Sequence, residues 1–233
     1  IAVQGPKARD IIAPFVEGLD LSNEAFPHMS VVEGKIAGVP TRLFRMTFAG
    51  ELGYEVNVPS DYGQAVWEAI WARAEPLGAC AYGTEAMHVL RAEKGYIIVG
   101  KDTDGLTSPR DLGLNGPLRN KKAEFIGKRS LLLDEAQRDG RQEFVGLEVA
   151  DGGPMLTGGA HGVEQAAGRH RSIGYVTSSY MSPNLKRPIA LGLIEHGMSR
   201  HGEVIDVRHM GEIRKARIVP PCAFDTEGAR LNA

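Results

Sequence analysis

The sequence predicts an α+β fold over residues 1–140, followed by a small all-β barrel or sandwich over residues 141–233. Three observations predict it. Strand-like and helix-like periodicities mix before Asp139-Gly140. After that point, β-prone runs recur with turn signals every ~10–20 residues and few helical patterns remain. The 29 glycines and 13 prolines supply many turns between short elements.

The elements follow in order. Ile1-Ala2-Val3 reads as the tail of a strand, and Gly5-Pro6 as the breaker before a helix that runs through Ile12. Residues 29–48 read as a β-hairpin turning at Ala37-Gly38. In Tyr54-Glu55-Val56-Asn57-Val58, Tyr54, Val56 and Val58 share one strand face while Glu55 and Asn57 share the other. Ser60 is the expected N-cap of a helix whose apolar stripe is Tyr62, Val66, Ala69 and Ile70 and which stops near Pro76-Leu77-Gly78. A second helix is expected over 84–94, ending at Gly95, and a third over 128–137. Beyond 140, strands are expected over 143–149, 172–176, 189–194, 204–207 and 215–219.

The composition excludes several classes. Hydrophobic residues make up 42% and charged residues 24%, unlike a disordered or membrane-embedded chain. A formal charge of −2 argues against a nucleic-acid partner, which requires a basic face. No apolar stretch approaches a membrane span, and no export signal is visible. With two cysteines, Cys80 and Cys222, the expected location is cytoplasmic. Cys80, between alanines, is expected to be a small buried thiol. The seven histidines lack partners at tight ligand spacing, so no metal site is expected. No GxxxxGK[ST], GxGxxG or GxSxG is present, so FAD, FMN or NAD is expected only in other domains or subunits.

An ordered set of segments carries a family resemblance. Thr47-Phe48-Ala49-Gly50-Glu51-Leu52-Gly53-Tyr54-Glu55-Val56 resembles the Y-T-G-E-x-G-[FY]-E-[IV] element of the folate-binding aminomethyltransferase (glycine-cleavage T-protein) family. Leu90-Arg91-Ala92-Glu93-Lys94-Gly95 resembles its L-R-L-E-[AK]-G helix end. Gly174-Tyr175-Val176-Thr177-Ser178-Ser179-Tyr180-Met181-Ser182-Pro183-Asn184-Leu185 resembles the G-x-[VI]-T-S-G-x-x-S-P-[ST]-L turn of its barrel. Ala2-Val3-Gln4-Gly5-Pro6, Asp111-Leu112-Gly113-Leu114 and Phe125-Ile126-Gly127-Lys128-Arg129-Ser130-Leu131 also resemble family segments, so the likeness spans nearly the whole chain. It implies a ferredoxin-like α/β portion, lacking its N-terminal third, over 1–140 and the C-terminal β-barrel domain over 141–233. Thr84-Glu85-Ala86-Met87-His88-Val89-Leu90-Arg91-Ala92-Glu93-Lys94-Gly95 is closest to the α subunits of heterotetrameric sarcosine oxidases, and the G-A-R-D of T-proteins is absent.

The resemblance implies a cofactor, tetrahydrofolate, and site residues Glu55, Arg91, Phe48 and Tyr96. A pterin ring presents an amide N–H beside an exocyclic amine, and a carboxylate accepts both; in the family the last Glu of the element does this, here Glu55. Phe48 stands at the motif's Tyr, either on a ring or in the core. Gly50 and Gly53 set a tight turn in which Glu51 is expected to cap. Arg91 is either a cation near the folate carboxylates or the partner of Glu93, Glu85 or the helix dipole. Ser182, Pro183 and Asn184 read as turn makers. No catalytic residue is assigned: the family's proton-transferring Asp falls upstream of Ile1, a start without Met that reads as a cut in mid-strand. The isolated fragment is expected to be inactive.

The reaction implied is oxidative demethylation of sarcosine to glycine by flavin elsewhere, with the one-carbon unit passing to tetrahydrofolate as 5,10-methylenetetrahydrofolate. The other sarcosine oxidase subunits are then the expected partners, in a hetero-oligomer. The alternatives are a T-protein-like aminomethyltransferase, a non-catalytic folate-binding module, and a structural domain that docks a partner. Lys94-Gly95-Tyr96 lacks the Cys of the K-G-C-Y-x-G-Q-E element of the non-catalytic modules, which argues against them.

Overall fold

Strand β1 (Ala2–Gln4) pairs with the later strand β4 (Gly53–Asn57), and between them lie helix α1 (Ala8–Ile12) and the hairpin β2 (Ser30–Ile36) and β3 (Val39–Arg45). The result is an antiparallel four-stranded sheet of order β1-β4-β3-β2. The hairpin turns at Ala37-Gly38 as its sequence predicts. In this computed structural model residues 1–119 and 121–233 are described, and they divide into two units: Ile1–Arg91 with Asp225–Ala233, and Ala92–Phe224.

In the first unit one sheet face packs on α1 and on helix α2 (Gly63–Ala74). Its core joins Ile11, Ile12, Leu43, Tyr54, Val56, Val66 and Ile70, and each such aliphatic side chain contributes ~1.5–3 kcal/mol by leaving water. Two expectations about α2 need correction. Ser60 makes no cap hydrogen bond but sits inside a 3₁₀ turn, Ser60–Tyr62, because the chain starts to coil one turn early. The buried stripe is Val66, Ile70 and Ala74, while Tyr62 is half exposed: the 3₁₀ turn takes it off the α-helical phase. Cys80 is exposed rather than buried, since it follows the helix-stopping Gly78 in an irregular loop.

Helix α3 (Thr84–Glu93) ends as predicted, and two short helices follow, α4 (Asn115–Arg119) and α5 (Asp134–Gln137). The helix expected over 128–137 is instead a 3₁₀ turn, Arg129–Leu132, separated from α5 by Leu133 in an extended conformation. Six strands complete the second unit: β5 (Gln142–Val149), β6 (His161–Ala166), β7 (Arg169–Ser182), β8 (Arg187–Glu195), β9 (Val204–His209) and β10 (Glu212–Val219). They close into a barrel of order β10-β5-β8-β7-β6-β9. Full closure leaves no unpaired edge and decides between barrel and sandwich. Val145, Leu147, Ile173, Ile194, Val207 and Ile218 fill its interior. Strand β6 escapes the sequence pattern because Gly162, Glu164 and Gln165 interrupt its apolar alternation.

The barrel strands begin at Gln142, beside the expected division at 140, yet their unit reaches back to Ala92. Buried carboxylates tie that preceding stretch to the strands. Asp102, fully buried, accepts hydrogen bonds from Thr177, from Ser178 Oγ at 2.7 Å and from the Ile98 N–H at 2.9 Å. Glu93, 2% exposed, accepts from Ser182 and from Asn184 Nδ2 at 2.6 Å. Asp111 accepts from Arg141 at 2.6 and 2.8 Å and from the Ser108 N–H at 2.7 Å.

Candidate functional site

Strand alternation sends Tyr54 and Val56 into the core and leaves Glu55 on the opposite face of the first unit's sheet, as the sequence predicts. The register then sets its neighbours. Glu55 lies between Phe44 of β3 and Ala2 of β1, and Val31 of β2 extends the same row beyond Phe44. Paired residues on one face have Cβ atoms about 5 Å apart. Glu55 and Phe44 are half-buried, whereas Val31 and Ala2 are exposed. The next row is polar, with Arg42 Nε donating to Glu33 at 3.2 Å and Asn57 beside Arg42. A carboxylate thus stands in a largely apolar row on a face that does not belong to the core.

The motif's glycine has a steric cause here. A Cβ on Gly53 would lie 2.7 Å from the Met46 carbonyl oxygen and 2.8 Å from Thr47 Cβ, so only glycine lets the 46–47 backbone cross at this point. Gly53 shares its face with Glu55, and the loop that carries Phe48 therefore passes over the Glu55 side of β4. Gln4, on the same face of β1, holds that loop by accepting from the Ala49 N–H at 3.2 Å. Glu51 does not cap the turn; it pairs with Arg230 at 2.6 Å, an ion pair the sequence separation of the two residues conceals.

Phe48 is half-buried. Arg91 is fully buried in the last turn of α3, where the helix's partial negative end favours a cation. Glu85 faces His88 at 3.8 Å, and Glu93 turns its carboxylate to the Ser182-Pro183-Asn184 turn. Tyr96, in the second unit, is half-buried. Glu55, Phe48 and Arg91 belong to the first unit.

Two residues that bear on Glu55 have no signal in the sequence pattern, Phe44 by register and Tyr82 by charge. Phe44 sits eleven positions before it, and only strand register brings the two together. Tyr82 precedes α3, and its phenol is pushed up first by burial and then by the Glu55 charge, which places it within electrostatic reach of that carboxylate. Among the described residues no group of His, Cys, Asp and Glu is arranged to hold a metal ion. No described helix is long and apolar enough to cross a membrane.

Comparisons with known proteins agree with the fold and with the motif order. Residues 1–122 match the GCVT N-terminal domain, and residues 142–225 match the glycine cleavage T-protein C-terminal barrel domain. The chain is 41% identical to the sarcosine oxidase subunit alpha of Corynebacterium sp. (strain P-1), over 99% of its own length and 24% of the relative's. It is 34% identical to the aminomethyltransferase of Caldanaerobacter subterraneus subsp. tengcongensis, covering 94% of this chain and 56% of that one. The crystal structure of glycine cleavage system aminomethyltransferase T from Bartonella henselae superposes with a TM-score of 0.77 at 25% identity, over 97% of this chain and 59% of that one. The chain therefore spans about a quarter of the length of the sarcosine oxidase subunit it matches.

Proposed function

Because the chain belongs to the glycine-cleavage T-protein family, we propose that it is the folate-binding part of a sarcosine oxidase α subunit. In this reading it couples oxidative demethylation of sarcosine to glycine with transfer of the one-carbon unit to tetrahydrofolate, giving 5,10-methylenetetrahydrofolate. The observation that carries it is the 41% identity to a sarcosine oxidase subunit alpha across 99% of this chain, together with the half-buried Glu55 in the family's folate element.

Glu55 fits a pterin edge. Its two carboxylate oxygens accept a pair of N–H hydrogens in parallel, and the apolar row around it lowers the competition from water. Tetrahydrofolate, when bound, supplies the nucleophilic nitrogen for the one-carbon unit. This chain's residues bind and orient it: Glu55 by the paired contact, with Phe48, Arg91 and Tyr96 proposed as further contacts on the family resemblance. No residue is assigned a proton-transfer role. The reading further places the protein in the cytoplasm, with flavin and NAD sites in other domains or subunits of a hetero-oligomer.

Titration calorimetry of the full-length protein with tetrahydrofolate tests the binding claim. Glu55→Gln turns one acceptor into a donor against the pterin edge and is expected to weaken binding by ~1–3 kcal/mol. Unchanged affinity removes Glu55 as the ligand. Sarcosine-dependent formation of 5,10-methylenetetrahydrofolate by the assembled complex tests the rest. Formation only with an aminomethylated carrier protein assigns the chain to glycine cleavage instead.

A further inference from the structure

The geometry points to Phe44 as the aromatic platform of the Glu55 site, the surface on which a flat heteroaromatic ring lies while its polar edge meets the carboxylate. The inference rests on the folate reading and adds a residue that lies outside the T-G-E-x-G-x-E element.

The argument starts from register. Phe44 and Glu55 are direct cross-strand partners, so their side chains leave the sheet on the same face about 5 Å apart. That distance suits a fused two-ring system resting on a phenyl face with its edge against the neighbouring carboxylate. The pair has a flanking residue on each side. Val31 flanks Phe44 on the far side, and Ala2, the smallest side chain in the row, flanks Glu55 on the other. The face is not part of the hydrophobic core: the core takes Leu43, Tyr54 and Val56, and leaves Phe44 out. A phenyl ring kept half-exposed on the second face of a sheet, beside a lone carboxylate, has more to gain from a flat ligand than from water. The neighbouring positions on this face, Arg42, Glu33 and Asn57, are the polar residues a purely solvent-facing sheet surface carries.

Phe44 and Phe48 make different predictions, since Phe48 lies in the crossing loop and Phe44 on the strand floor. Stacking on an aromatic side chain is worth about tenfold or somewhat more in affinity. In the full-length protein, Phe44→Ala is therefore expected to raise the Kd for tetrahydrofolate about tenfold. Phe44→Trp is expected to hold affinity near the parent's, and its new indole emission to be quenched when tetrahydrofolate binds. The thermal midpoint of both variants should stay near the parent's, because the side chain lies off the core. Parent-like affinity in Phe44→Ala, with Glu55→Gln weakened, overturns the platform and leaves the folate reading standing. Parent-like affinity in both Phe44→Ala and Glu55→Gln, or an absence of tetrahydrofolate binding in the parent, overturns both. An unquenched indole in Phe44→Trp also counts against the platform, even where Phe44→Ala binds weakly, since a structural loss would weaken binding without placing a ring on position 44.

Discussion

Asp111 is 3% exposed, and burial alone would push its carboxyl up. The Arg141 hydrogen bonds and the Ser108 N–H outweigh that penalty and hold it below the ordinary carboxylate value. The consequence for stability has a definite sign. A carboxyl depressed on folding contributes its stability above the unfolded value of about 3.9, and loses it as the pH falls through the lower folded value. Asp111→Asn is expected to cost about 2 kcal/mol at neutral pH, less than a fully uncompensated buried charge. Arg141 keeps the carbonyls of Glu135 and Leu106 as acceptors, which softens the loss. Urea midpoints at pH 7 and near pH 3 check this: the gap between parent and variant should narrow in acid, and an equal gap at both pH values refutes the assignment. In the sequence the Asp111-Leu112-Gly113 segment carries only a family likeness. Its anchoring partner, thirty positions on, became visible only in the fold.

Strand β7 shows what an element demands of a single position. It is fourteen residues long, pairing with β6 over its first half and with β8 from Gly174 to Ser182, with irregular register at Val176/Ser178, and so bends around the barrel. At Gly174 the backbone has φ +145°, and a Cβ there would lie 1.9 Å from the Leu193 carbonyl oxygen. Gly174→Ala must therefore push β7 away from β8 or break their pairing. A loss of ~3 kcal/mol or more is expected in chemical denaturation, and faster hydrogen exchange along β7 and β8 should accompany it. A variant with unchanged exchange would show that the strand yields without cost. The sequence placed a strand over 172–176, where Ile173 and Val176 are apolar, but not the arms on either side. Those arms carry serine, arginine and histidine, and they are strand because a paired neighbour takes up their backbone groups.

At the scale of the whole molecule, the chain builds its first unit from two segments. Residues 1–91 build the sheet, and 225–233 return to it after the barrel has been made. The returning segment is held by buried arginine chemistry. Arg45, fully buried, donates to the carbonyls of Phe26 at 3.0 Å and Leu231 at 2.8 Å, and to Asn23 Oδ1 at 3.0 Å. Its guanidinium lies 5.5 Å from the centre of the Tyr54 ring. Asn23 Nδ2 donates to the Asn232 carbonyl, and Arg230 pairs with Glu51. Removing residues 226–233 strips an acceptor from a buried charge and is expected to destabilise the first unit by about 2–3 kcal/mol. Exchange protection in β2 and β3 should fall while that of β5 and β8 holds. Equal loss in both groups would show that the segment stabilises the chain as a whole rather than this sheet.

Local pattern was enough for the order of an α+β part followed by an all-β part, the hairpin at Ala37-Gly38, the end of α3 and the outward face of Glu55. All of these depend on local periodicity, breakers or alternation, which act over a few residues. Closure of the barrel, the placing of Phe44 and Ala2 on either side of Glu55, and the need for glycine at position 53 under the crossing loop come from the folded chain. The same holds for Glu51, which serves Arg230 rather than a cap, and for Glu93, which holds the Ser182-Pro183-Asn184 turn. The physical reason is common to them. Register, steric crossing and buried charge pairing join residues far apart in the chain, and no local pattern of hydrophobicity encodes which distant partner will arrive.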